Sequence, residues 1–217
     1  MNVLIIVPHL DDESLSCGAL IQNRLMAGDH VHIVVVHTRY YPEGVEVGDQ
    51  KKHFVRAIDT LHGRLPGTLS YATHDMVEGE PFAIGYYQVL ELLEPIILKG
   101  WDEIVIPGKD DLNQDHRHLY EICRIALRPC NRSRVKRVLV SSAYDGSVPT
   151  FTHFEIMTEA QLDTKIAAIR CYEDELRTKP HPRSIENLTA HHAIVGAQCS
   201  EDYAEGYNVY FQLGVTT

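Results

Sequence analysis

Asn2-Val-Leu-Ile-Ile-Val-Pro8, followed at once by His9-Leu-Asp-Asp-Glu13, is the stretch that decides the fold. A continuous apolar run of strand length is how a strand covered on both faces of a parallel sheet reads. From Glu13 the period becomes helical, with Leu15, Ala19, Leu20, Leu25 and Met26 apolar and Gly28 placed as a stop. Strand, acidic turn and helix open a βαβ unit, whose ligand sites lie at the carboxyl ends of its strands.

Outward from this unit the alternation continues. Val31 to Val36, Thr68 to Ala72, Glu103 to Ile106 and Val135 to Ser142 read as strands, and Asp49 to Leu61, Phe82 to Leu98 and Gln114 to Leu127 as the helices between them. Glu159 to Leu176 fits an amphipathic helix through Leu162, Ile166, Ile169 and Tyr172. Pro180 to Pro182 breaks it, Ser184 to Ala197 carries a last helix, and Asn208 to Leu213 reads as a closing strand or an edge element. The pattern predicts a Rossmann-like, doubly wound α/β fold with a mainly parallel sheet, as one domain over 1–217.

The 217 residues are 44% hydrophobic and 23% charged, enough to bury a sizeable core. Twenty Lys and Arg against 30 Asp and Glu leave a formal charge of −10, which argues against nucleic-acid binding by electrostatics. No apolar run approaches the roughly 20 residues of a membrane helix, and no basic leader precedes the first strand, so a cytoplasmic location is expected. Five cysteines without a CxxC pair read as buried free thiols, Cys17 among them as a small core residue. Thirteen histidines permit metal chemistry. The adjacent His191 and His192 face different ways on one helix and read as core or surface residues. Oligomeric state is left open.

One imidazole and three carboxylates within His9 to Glu13 repel one another unless a positive charge lies among them, and a divalent cation is the simplest remedy. The competing reading is a solvated acidic turn in which Asp11 or Asp12 caps the helix. A second cluster, Asp110-Asp-Leu-Asn-Gln-Asp-His116, also follows a strand and precedes a helix, so both belong at one rim. His9, Asp12 and His116 make a mixed nitrogen and oxygen set with the three protein ligands of a catalytic zinc site, one divalent cation per chain. Arg39, Tyr40 and Tyr41 follow the second strand at the same rim, as candidate substrate-binding residues or an exposed loop. No GxGxxG or Walker loop follows any strand, so nucleotide binding is not expected.

At these motifs the chain resembles the LmbE-like or PIG-L-like zinc N-deacetylases, which remove acetyl groups from N-acetylglucosamine-type sugars and related amides. Their His-Pro-Asp-Asp-Glu motif is matched by His9-Leu10-Asp11-Asp12-Glu13, with Leu10 at the proline position. Their second motif ends in Asp-His, matched by Asp115-His116, with Asn113 where family members can carry a histidine. Pro182 to Leu188, Gly196 and Tyr203 to Glu205 resemble the family's C-terminal pattern. The Arg-x-x-Glu expected near the second helix is replaced by the region of Lys51 and Lys52.

The resemblance implies a deacetylase domain over 1–217, with zinc on His9, Asp12 and His116, Asp11 as general base and Glu13 in support. Asn113 would offer an amide N–H to a developing oxyanion. The substrate class it implies is a small-molecule amide or acetamido sugar. The other readings are a metal hydrolase of a different amide or acyl compound, with the loops at Thr38 to Gly48 and Tyr144 to Thr152 choosing the substrate, and a binding protein without turnover. Retention of Asp11 beside a full ligand set favours turnover.

Overall fold

In the computed structural model, which describes residues 1–38, 47–76, 86–132, 134–142, 146 and 149–214, the opening apolar run forms β1 (Asn2–Val7). It pairs in parallel with β2 (His30–Thr38) on one side and with β4 (Glu103–Ile106) on the other. β3 (Thr68–Met76) lies beyond β2, and β5 (Arg137–Ser141) lies beyond β4, both parallel. β7 (Tyr203–Gln212) then runs antiparallel to β5 and to β6 (His153–Met157), giving the order β3-β2-β1-β4-β5-β7-β6.

The first strand is apolar at successive positions because helices cover both faces. Val3, Ile5 and Val7 pack against α1 (Asp12–Met26) and α2 (Val47–His62), joined by the end of α5 (Glu159–Ile169). Leu4 and Ile6 pack against α3 (Tyr86–Ile97) and α4 (Gln114–Ala126). α6 (Ile185–Gln198) packs on β7. The chain leaves β1 through α1 to β2 on one side, while β4 lies on the other. The crevice outside the carboxyl ends of β1 and β4 is therefore the topological switch point, where sheets of this winding place their ligands. No helix among the described residues is long and apolar enough to cross a membrane.

Three elements differ from the sequence reading. The helix expected to reach Leu176 stops at Ile169, and a short 3₁₀ turn follows at Glu173–Glu175. Between them Tyr172 leaves helical dihedrals (φ −89°, ψ 66°), buries its ring and sends its hydroxyl to Glu13. β6 has no clean apolar alternation because Glu155, paired with Arg24, shares its buried face with Met157. β7 begins at Tyr203, earlier than expected, since its buried positions include Glu205 and Gly206 supplies no side chain. Cys17, Cys123 and Cys171 are buried as expected, whereas Cys199 is half-buried and Cys130 is exposed on the surface.

Glu205 explains how the sheet grips α1. Its carboxylate accepts from the backbone amides of Ala19 (2.7 Å) and Leu20 (3.0 Å) in the middle of that helix. The carbonyls those amides face in a regular helix belong to Leu15 and Ser16. Those carbonyls receive Lys165 Nζ (2.9 Å) and Tyr207 Oη (2.9 Å). Lys165 also donates to Glu205, and the Tyr207 hydroxyl has one proton to share between the Ser16 carbonyl and the Glu205 carboxylate, so one buried network holds the turn of α1 directly behind the first acidic motif. Gly18 makes room for it, because a Cβ there would meet Lys165 Cγ at 2.9 Å.

Glu205→Ala leaves the Lys165 ammonium and two helix amides stranded, and the expected cost in urea unfolding is about 3–5 kcal/mol. The double variant Lys165→Met/Glu205→Leu is expected to lose less. It frees the Leu15 carbonyl and the Ala19 amide together, and they can pair as an ordinary helical rung. A double variant as unstable as the single one would show that the network is not what the helix depends on.

Candidate functional site

At the end of β1 the chain turns through His9 and a buried Leu10, so the residue at the family's proline position is spent on core packing. Asp11 then adopts φ 152°, on the side of the dihedral map that residues with a Cβ avoid. The backbone amide of Asp11 donates to Glu13 Oε2 at 3.1 Å. Glu13 is itself fully buried and accepts from Ser14 Oγ (2.6 Å) and Tyr172 Oη (2.5 Å). Asp11 stands at the N-cap of α1, yet no side chain caps the helix there. The strain holds the two aspartates off the helix amides, so the capping alternative does not describe this turn.

The rim of β4 is built differently. Asp111 Oδ1 accepts from the Asn113 amide and Asn113 Oδ1 accepts from the Asp115 amide, both at 2.8 Å, and the second bond caps α4. That start turns His116 inward and directs Asp115 across the crevice. His9 Nε2 lies 2.9 Å from Asp115 Oδ2, and His116 Nδ1 lies 3.0 Å from Asp111 Oδ2. Each imidazole is thus oriented by a carboxylate on one nitrogen and turns the other toward Asp12.

The remaining nitrogens converge. Asp12 Oδ2 is 3.3 Å from His9 Nδ1 and 3.3 Å from His116 Nε2. Neighbouring ligands about 2.0–2.1 Å from a tetrahedral zinc lie about 3.3 Å apart. Ligand atoms of His9, Asp12 and His116 all fall within 4.8 Å of one another, and this is the one such group among the described residues. Asp12 Oδ1 and His116 Nε2 are buried with no hydrogen-bond partner, which is where a cation would complete their needs. A donor set of two imidazoles and one carboxylate suits zinc.

The electrostatics point the same way. Burial opposes charge on both histidines, yet the carboxylates of Asp115 and Asp12 carry His9 up to about 9, and those of Asp12 and Asp111 carry His116 up to about 10. Asp12 is held well below the usual carboxylate range by the two imidazoles, against its burial. Burial and the Asp12 charge push Asp11 up to about 8, and burial pushes Glu13 to about 7. In the metal-free protein, protons supply the positive charge that the acids require. A divalent cation in the triangle opposes the upward shifts of His9, His116, Asp11 and Glu13 and reinforces the downward shift of Asp12.

Sequence reasoning gave no role to three residues that the geometry brings here. Asp111 and Asp115 orient the imidazoles, and the signal was their spacing of −5 and −1 from His116. Arg183 Nη1 sits 3.5 Å from Asp11 Oδ2, delivered by the turn before α6. It belongs to the Pro182 to Leu188 stretch but lies far from Asp11 in the chain. Arg39, Tyr40 and Tyr41 fall outside the described residues, as do parts of the two loops expected to choose the substrate. His191 and His192 are both buried, with His192 Nδ1 donating to the Ala204 carbonyl.

Fold and site together define a doubly wound α/β protein with a metal-sized His, Asp, His cluster at its switch point. The PIG-L family model, described as GlcNAc-PI de-N-acetylase, matches residues 4–127, more than half of the chain, and the chain belongs to that family. No curated protein matches it. Among solved structures, N,N'-diacetylchitobiose deacetylase from Pyrococcus horikoshii is 16% identical, with 96% of this chain and 83% of that chain covered at a TM-score of 0.71. A deacetylase of the teicoplanin biosynthetic pathway is 16% identical over 96% of this chain and 97% of that one, TM-score 0.73. The 4-carboxy-2-hydroxymuconate hydratase of Pseudomonas putida KT2440 is 14% identical over 100% and 98%, TM-score 0.69. These likenesses establish the shared fold.

The shifted groups fix a pH dependence for the metal-free protein. Glu13 and Asp11 have ordinary values of 4.5 and 3.8, and His9 and His116 of 6.5; all four are raised in the folded state. Above those ordinary values the folded chain holds protons that the unfolded chain has released, so stability falls as pH rises through the folded values. The thermal midpoint of chelator-treated protein is expected to fall steadily between pH 5 and pH 10. A midpoint that rises across that window contradicts the assignment.

Proposed function

We propose that this chain is a zinc-dependent N-deacetylase of an acetylated sugar or sugar conjugate, acting in the cytoplasm. His9, Asp12 and His116 hold the metal, and Asp11 is the general base. The observation that carries the reading is the pair of 3.3 Å separations from Asp12 Oδ2 to the two imidazole nitrogens, with a second carboxylate, Asp11, left over beside them. Family membership supports an amide of an acetylated sugar as the substrate class. The deacetylase activities named for two proteins of the same fold agree with it.

Zinc held there supplies Lewis acidity, polarising an amide carbonyl and making water a better nucleophile near neutral pH. The chain's own residues do the rest. Asp11 Oδ takes the proton of the attacking water and returns it to the leaving nitrogen, which departs as an amine. Arg183, 3.5 Å from Asp11 Oδ2, favours the ionised carboxylate that this task requires. Glu13 fixes the backbone of Asp11 through the 3.1 Å bond from its amide, and Tyr172 fixes Glu13. Asn113 spends Oδ1 on its helix cap, so its Nδ2–H₂ is the part that can donate to a developing oxyanion. Substrate binding by Arg39, Tyr40 and Tyr41 stays part of the proposal on their sequence position alone.

A hydratase of the same fold favours one second reading, in which the same metal and base serve a different substrate. A free-amine assay over N-acetyl sugars with zinc-loaded protein separates the two. Amine release supports the deacetylase, and zinc-loaded protein that releases none from any of them favours the second reading.

Two variants assign the carboxylates. Asp11→Asn keeps the shape and removes the proton acceptor, so one zinc per chain is expected to remain while turnover falls about 10²- to 10⁴-fold. Asp12→Asn and His116→Ala are expected to lose zinc itself, measured as metal content after dialysis. Loss of zinc from Asp11→Asn with retention in Asp12→Asn would reverse the two roles. Parent-rate turnover by Asp11→Asn would place the base elsewhere.

A further inference from the structure

His192 of α6 is only 3% exposed, and one of its ring nitrogens lacks a partner. Nδ1 lies 3.1 Å from the Ala204 carbonyl, which can only accept, so the ring carries its proton on Nδ1 and presents a lone pair at Nε2. Nε2 is buried and has no hydrogen-bond partner among the described residues. Protonation does not answer the need, because burial, with Lys165 and His191 close by, holds the ring well below the usual histidine range. A buried acceptor of this kind requires a neutral donor.

A small cavity lies against this ring, between α1, α6, β7 and the segment that follows β5. It leaves the centre of a water molecule about 10 Å³, room for one water and for nothing larger. Leu15, Phe151 and Leu188 make part of its wall apolar, and Gly206 adds no side chain. Glu205 is on the wall too, but a carboxylate has no proton to give, and its oxygens are already taken by the Ala19 and Leu20 amides and by Lys165. The hydroxyls of Ser16 and Ser142 and the imidazole of His191 are the remaining polar groups among the described residues of the wall. Each hydroxyl both donates and accepts, as water does.

We propose that this cavity binds one water molecule, which donates to His192 Nε2 and completes its shell with the Ser16 and Ser142 hydroxyls. Buried waters make about two to four hydrogen bonds, and these three groups supply that number. Bound there, the water joins α6 to the second turn of α1 and to the chain just after β5, on the wall of the Glu205 network. Neither metal nor substrate takes part, so the site stands or falls apart from the deacetylase reading.

The test reads the imidazole and the water separately. In the nitrogen-15-labelled full chain at neutral pH, His192 is expected to show the Nδ1–H tautomer, with its Nε2 resonance upfield of an unbonded imidazole nitrogen. Oxygen-17 relaxation dispersion counts long-lived internal waters without interference from exchanging hydroxyl protons. Ser16→Val replaces one partner of the water by apolar volume, and Ser142→Val does so from the β5 side, which keeps the test alive if one of them fails to fold. Either folded variant is expected to hold one internal water fewer than the parent and to move Nε2 to the unbonded position. An unbonded Nε2 in the parent means a dry cavity and overturns the site. A bonded Nε2 with the same water count in parent and variant means that a hydroxyl donates directly, and overturns it as well.

Discussion

Two imidazole nitrogens facing one buried carboxylate oxygen, each at 3.3 Å, is the constraint on which the rest of the site depends. Asp11, Asp12, Glu13, Asp111 and Asp115 crowd one end of a sheet in a chain that is already acidic. Such a cluster persists only with positive charge inside it. Protons on His9 and His116 supply that charge when no metal is bound, and the raised values of both rings measure how strongly it is demanded. The orientation of the rings matters as much as their charge. Asp115 and Asp111 occupy the outer nitrogens, so His9 offers Nδ1 and His116 offers Nε2 to the same small volume.

The architecture delivers these groups from both sides of the switch point, and the C-terminal part of the chain then braces them. The family match ends at residue 127, yet the site relies on residues well beyond it. Tyr172 anchors Glu13, Arg183 reaches Asp11, and Lys165, Glu205 and Tyr207 hold the turn of α1 just behind the ligand candidate Asp12. A buried ion pair of this kind is weak as a source of stability. Its use here is geometric, since it locks the helix turn behind three acidic side chains against the sheet.

Most of the parallel sheet was legible because doubly covered strands leave unbroken apolar runs, as in Asn2–Val7 and Glu103–Ile106. The antiparallel end was not. Its strands bury Glu155 and Glu205 with partners from α1 and α5 that are distant in sequence, so the polar residues hide the period. At the site, the ligand candidates stood out because an acidic turn after one strand was repeated after another. Arg183 and Tyr172 did not, because a lone arginine or tyrosine carries no spacing signal and only the tertiary fold brings it near Asp11 and Glu13. Asn113 was read as an oxyanion donor, and its helix cap became visible only with the start of α4.

X-ray absorption at the zinc edge, on protein loaded with one equivalent of zinc, tests the central claim most directly. The account predicts a four-coordinate ion with two imidazoles and only nitrogen and oxygen neighbours, at about 2.0–2.1 Å. Sulfur in the coordination shell, a single imidazole, or the same spectrum from His116→Ala would contradict it.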